Sequence, residues 1–175
     1  ALNGLNGIIV PGGFGATERQ DAKPPSSGGR KGEAALEAHM EKRLAGKAAI
    51  VVGAGQTPGD TIGNGRAISL LFARAGAKVL LVDNRLDSAQ ETKSMIDQEG
   101  GECLAFAADV TQAEDCRRIA EKCVEAYGKI DILVNNVGIG GGDFGPVELS
   151  EELFERVLKV NLKSMYLTCK YVLPY

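Results

Sequence analysis

From Lys47 onward, short apolar runs alternate with amphipathic segments of helical period, and this repeat restricts the chain to few folds. Ala48 to Val52 (AAIVV) is apolar without a break, the composition of a strand buried on both faces of a parallel sheet. A glycine-rich stretch follows, and then Arg66 to Ala75 places Ile68, Leu71, Phe72 and Ala75 on one helical face, with Gly76 as the stop. Val79 to Val82 reads as a second strand closing on Asp83. Ser88 to Glu99 reads as a helix, with Ser88 and Glu91 spaced as a capping box and Gly100 beyond its end. Cys103 to Ala107 is a third strand. Thr111 and Glu114 have the spacing of another capping box, opening a helix to about Tyr127, with Gly128 after it. Ile130 to Val134 is a fourth strand, and Ser150 is the expected cap of a long helix that carries Phe154, Val157, Leu158, Asn161 and Leu162 towards Pro174. Strand–helix alternation of this kind specifies right-handed crossovers and a parallel sheet covered on both faces. The expected fold class is α/β: a three-layer, Rossmann-type, doubly wound parallel sheet, incomplete, with its strands in the order 3-2-1-4.

Residues 1–39 do not continue this repeat and are expected to be an extension or linker with little order. LNGIIVPGGFG resembles the strand and Pro-Gly-Gly turn of class I glutamine amidotransferase domains, without that family's nucleophilic cysteine and histidine; an unrelated hydrophobic strand or a fusion remnant is the equal alternative. The following Pro-, Ser-, Gly- and charge-rich stretch has no hydrophobic period. Met40 marks the expected start of the fold, so residues 40–175 are expected to form the nucleotide-binding domain.

Composition narrows the partners. Lys and Arg total 20 against 23 for Asp and Glu, which argues against a nucleic-acid backbone or an anionic membrane surface and favours small molecules. No apolar run approaches the roughly 20 residues of a membrane helix, and no leader opens the chain, so the cytoplasm is the expected compartment. Cys103, Cys116, Cys123 and Cys169 lack metal-ligand spacing, and the one histidine, His39, lies in a polar segment, so no metal site is expected.

The turn after the first strand carries the chemistry. Gly53, Gly55, Gly63 and Gly65 permit close backbone approach, and the free N–H groups opening the next helix point at an anion, which suits a pyrophosphate. Asp83, 18 residues past Gly65, is placed to accept hydrogen bonds from both hydroxyls of an adenosine ribose while repelling a 2′-phosphate, which favours NAD over NADP. Arg85, two positions on, is the residue that softens this preference.

At these residues the chain resembles the short-chain dehydrogenase/reductase family, over roughly Leu44 to Tyr175. Asp109 and Val110 match the Asp-Val that contacts adenine in that family. Asn135, Asn136, Val137 and Gly138 match its N-N-A-G stretch, which stabilises the sheet and lines the cofactor site, with Val in place of Ala. Asn161, in VNLKS, matches the asparagine that orders a water in the proton relay. The resemblance implies an oxidoreductase that transfers hydride between a nicotinamide and a carbonyl or alcohol substrate. The cofactor contacts it implies fall on Gly53, Gly55, Thr61, Ile62, Gly63, Asn64, Gly65, Asp83, Asp109, Val110, Asn135, Asn136 and Gly138, with Asn161 in support of catalysis and a homo-oligomer as the assembly of the intact protein.

Two departures stand out. The family loop T-G-x-x-x-G-I-G sets its first two glycines four apart; here Gly53 and Gly63 are ten apart, and Val52 replaces the threonine. The inserted TPGDT carries its own turn signal and approaches the longer loop of the enoyl-ACP reductases. The second departure is that the family's catalytic serine and Tyr-x-x-x-Lys fall beyond Tyr175, so this chain is expected to be a truncated, cofactor-binding portion. Tyr166 and Lys170 satisfy the string on the wrong helix and are not expected to act. A non-catalytic dinucleotide-binding or interaction module is the alternative. On either reading, the fourth strand is expected to lack a neighbour on its outer edge, which favours self-association.

Overall fold

The computed structural model describes residues 9–11 (backbone only), 42–57, 59–142 and 145–175. Five strands form one parallel sheet: β1 (Ile9–Pro11), β2 (Ala48–Val52), β3 (Lys78–Asp83), β4 (Cys103–Ala107) and β5 (Ile132–Asn135). Their order is β1-β5-β2-β3-β4. Counting from Ala48–Val52 as the first strand, the four strands of the repeat stand in the order 3-2-1-4. Between them run α1 (Asn64–Arg74), α2 (Leu86–Gln98) and α3 (Ala113–Tyr127). After β5 come α4 (Glu151–Leu158), a π-helical turn (Lys159–Lys163) and α5 (Ser164–Val172), continuous in direction as the single long helix expected from the sequence.

Alternation along each strand divides the core into two layers. Ile50, Val52, Leu80 and Val82 point to one face and pack with Cys116, Ile119, Cys123, Leu167 and Val172 of α3 and α5. Val51, Val79, Leu81 and Val134 point to the other and pack with Leu70 and Ile96 of α1 and α2. Both faces of β2 are therefore dry, which is why that strand reads as an unbroken apolar run. Trimming Ile50, Leu80, Leu81 or Ile96 to alanine costs about 2–5 kcal/mol.

Local chemistry shifts several expected boundaries. Asp131 sits at the mouth of the ladder: its N–H donates to the Ala48 carbonyl at 2.8 Å, while its carboxylate accepts the Ala48 N–H at 2.9 Å and the Lys47 ammonium at 2.9 Å, and β5 begins at Ile132, two residues later than expected. Gly76, Gly100 and Gly128 end their helices with φ of 88°, 76° and 77°, and Ser150 caps α4 by accepting the Leu153 N–H at 3.3 Å. The two capping boxes do not form. Helix α2 begins at Leu86 with Arg85 at its N-cap, and the Ser88 hydroxyl faces the glycine loop instead. Helix α3 begins at Ala113 with no side-chain cap, and Glu114 pairs with Arg117.

The outer edge of β5 is not open, as the sequence suggested. Ile9 to Pro11 runs parallel along it, with Ile9 opposite Leu133 and Pro11 opposite Asn135. The rest of the N-terminal stretch, including the Pro-Gly-Gly glycines, His39 and Met40, lies outside the described residues. Among the described residues no helix is long and apolar enough to cross a membrane, and no group of three metal-ligating side chains converges.

Candidate functional site

The carboxyl ends of β2, β3, β4 and β5 open onto a groove of about 630 Å³, at the point where the strand order reverses. Its floor is the contact between two glycines. Gly53 has φ 79°, and a Cβ on Gly65 would stand 1.7 Å from the Gly53 carbonyl oxygen, so α1 meets the end of β2 with no side chain between them. Asn136 locks the junction by donating from Nδ2 to that same oxygen at 3.1 Å. The first turn of α1 has no side-chain cap and no acidic residue, which leaves its amide groups facing the groove as donors for an anion.

Asp83 closes β3 on the opposite wall. Its Oδ2 accepts the Gly55 N–H at 2.9 Å and its Oδ1 the Arg85 N–H at 3.0 Å, which fixes the carboxylate plane towards the groove. The Arg85 guanidinium, in turn, is held by Asp87 at 2.9 Å; this hydrogen bond raises the Arg85 pKa and lowers that of Asp87. Further along, burial disfavours the charged form of Asp109. Hydrogen bonds from Thr111 and Gln112 and the charge of Lys159 outweigh that burial, so the carboxyl lies below its ordinary range.

The groove gathers most of the residues singled out from the sequence: Gly53, Gly55, Thr61, Gly63, Asn64, Gly65, Asp83, Asp109, Val110, Asn136 and Gly138 all line it. Two do not. Ile62 is 52% exposed and turned away, because the inserted loop carries it outward. Asn135 is 3% exposed and faces the core, where its amide oxygen accepts from Thr168 at 2.7 Å and its Nδ2 meets Cys169 at 3.7 Å. It ties α5 to β5 and does not reach the groove. Asn161 sits in the π-helical turn and holds Ile139 from both sides, accepting its N–H and donating to its carbonyl, each at 2.8 Å.

Sequence reading missed Gln56, Ser88, Ile139, Arg156 and Val160, which also line the groove. For Arg156 and Val160 a signal existed, since their i, i+4 spacing places them on the helix face that carries them to the groove. Gln56 and Ser88 had none, because the two meet only when α2 folds against the loop. Tyr166 is 60% exposed, with the Lys170 ammonium 5.9 Å above its ring, and neither lines the groove. Among the described lining residues there is no tyrosine, histidine, lysine or cysteine. The arrangement offers backbone donors to an anion at the start of α1 and fixed acceptor oxygens at Asp83.

A parallel doubly wound sheet with this groove defines a Rossmann-type nucleotide-binding protein. Within that class, the family model of the short chain dehydrogenases matches residues 47–175, and the chain belongs to that family, whose cofactor is NAD(P). It is 36% identical over 134 residues to General stress protein 39 of Bacillus subtilis, covering 76% of this chain and 45% of that protein. A crystal structure of a short-chain dehydrogenase/reductase from Burkholderia xenovorans superposes with a TM-score of 0.72 at 43% identity, over 76% of this chain and 52% of the other. A structure of 7α-hydroxysteroid dehydrogenase complexed with NADH and 7-oxo glycochenodeoxycholic acid gives a TM-score of 0.68 at 35% identity, over 78% and 50%. The chain thus spans about half the length of the relatives it matches.

Proposed function

We propose that this chain is the NAD-binding portion of an oxidoreductase that moves hydride between a nicotinamide and a small carbonyl or alcohol substrate. The observation that carries this reading is the pairing, across one groove, of the uncapped start of α1 with the fixed Asp83 carboxylate. The residues fit the cofactor. Gly53 and Gly65 leave a side-chain-free cradle for a pyrophosphate, and Asp83 presents acceptor oxygens to ribose hydroxyls. When bound, the cofactor supplies the hydride chemistry; the chain's own part is to hold and orient it.

NAD is favoured over NADP on charge. A 2′-phosphate would bring a dianion against Asp83, and the nearby Arg85, whose charge could offset it, is already engaged by Asp87. In this reading Asn161 acts by holding Ile139, and thereby the Gly138–Gly142 loop, at the nicotinamide end of the groove. The cytoplasm suits the four free thiols. A homo-oligomer suits the exposed apolar ridge of α4 and α5. The second reading, a dinucleotide-binding module without catalysis, is favoured by there being no tyrosine, histidine, lysine or cysteine among the described groove residues.

Fluorescence titration tests both. The chain is expected to bind NADH at least about tenfold more tightly than NADPH, and Asp83→Ala to weaken NADH and erase the difference. Equal affinities for the two cofactors in the unaltered chain would remove the NAD assignment. Absence of any NADH binding would remove the function. Hydride turnover by the 175-residue chain alone would show that the proton donor has been misplaced.

A further inference from the structure

The enlarged glycine loop is not an open excursion. Its two feet lie close together, since a Cβ built on Gly63 would stand 3.9 Å from the Cα of Gln56. One side chain joins the two feet. Gln56 accepts the Gly63 N–H on Oε1 at 3.1 Å and donates from Nε2 to the Thr61 carbonyl at 3.1 Å. Its own backbone is bolted to α2, donating its N–H to Ser88 Oγ at 2.7 Å and accepting the Ser88 hydroxyl at 3.1 Å on its carbonyl. Helix α2 is in turn tied to the start of α1, because Arg66 donates to Thr92 at 3.0 Å and to Glu91 at 2.8 Å.

We propose that Gln56 is a positioning residue for dinucleotide binding: it staples the inserted loop shut at Gly63, so that Asn64 and Gly65 meet a phosphate as though the insertion were absent. This rests on the reading of the groove as a dinucleotide site. The physical reason is loop entropy. A longer loop between fixed ends has more conformations to lose, and Gly63, the N-cap of α1, is held by no other side chain among the described residues. Freeing it lets the donors at the head of α1 wander from the arrangement that a pyrophosphate requires.

The test uses Gln56→Met, which keeps the length of the side chain and removes both hydrogen bonds, in the 175-residue chain and in a chain lacking residues 57–62. In the 175-residue chain the Kd for NADH is expected to rise about tenfold, with the far-UV circular dichroism unchanged. In the shortened chain the same substitution is expected to have no effect. An unchanged Kd in the full 175-residue chain overturns the inference, and so does an equal loss in both chains, which would make Gln56 a direct cofactor contact. Amide hydrogen exchange at Gly63, measured without ligand, is the independent readout. It is expected to quicken about tenfold in Gln56→Met, and unchanged exchange overturns the staple whether or not the shortened chain folds. Failure of the unaltered chain to bind NADH would overturn the proposed function instead, leaving Gly63 exchange to decide the staple.

Discussion

Gly65 has room for a hydrogen and nothing more. Its missing Cβ would fall 1.7 Å from the Gly53 carbonyl oxygen and 2.7 Å from Asn136 Nδ2, and both partners are backbone or fixed by backbone. Gly65→Ala is therefore expected to push α1 off the end of β2, lowering stability by about 1–3 kcal/mol and abolishing measurable NADH binding, as read by thermal melting and titration. Asp131 makes a prediction in pH. Burial raises its carboxyl pKa, but the Ala48 N–H, Lys47 and Lys129 outweigh that and bring it from the ordinary 3.8 to about 2. With the folded value below the unfolded one, the stabilisation is complete above about pH 4 and fades as pH falls towards about 2. Asp131→Asn should thus cost about 2 kcal/mol at about pH 7, and the gap in urea midpoint between variant and parent should close by about pH 2. A gap independent of pH would mean that the charge contributes nothing.

At the scale of elements, the least regular stretch of helix is the one that shapes the groove. The π-helical turn at Lys159–Lys163 carries Asn161, whose amide replaces what a second strand would give Ile139, one acceptor and one donor. Asn161→Ala leaves both Ile139 groups without that partner. It should lower the melting temperature by several degrees, at about 2–4 °C per kcal/mol for a chain of this size, and speed amide exchange at Ile139 while sparing β2 and β3. The failed capping boxes belong to this scale too. Ser88 and Glu91 have the right spacing, but the Ser88 hydroxyl is offered the backbone of Gln56 by a neighbouring element and takes that partner. Capping spacing is a local signal, and a contact 32 residues away in sequence overrides it.

At the scale of the whole molecule, Phe154, Leu158, Leu162 and Tyr166 recur every four residues from α4 through the π-helical turn into α5 and stay 42–60% exposed, an apolar ridge beside which Lys159 and Lys163 supply charge. The chain is expected to self-associate in sedimentation velocity at micromolar concentrations, and Leu162→Glu to return it towards monomer without loss of NADH affinity; a concentration-independent monomer would refute the ridge as a contact surface. The sequence by itself determined the parallel sheet, the order of the four strands of its repeat and the glycine stops of its first three helices, because apolar period, glycine stops and the strand–helix repeat are local properties of the chain. It also located the glycine junction of Gly53 and Gly65 and the carboxylate of Asp83, which follow from position at the end of a strand. Only the tertiary structure decided which polar side chains face the groove. Asn135 and Asn136 are adjacent, yet the pleat sends one to α5 and the other to Gly53. Ile62 and Gln56 flank the same insertion, yet loop closure turns the first outward and makes the second its staple. Those outcomes depend on which hydrogen-bond partner a distant element brings within reach, and no spacing along the chain encodes that.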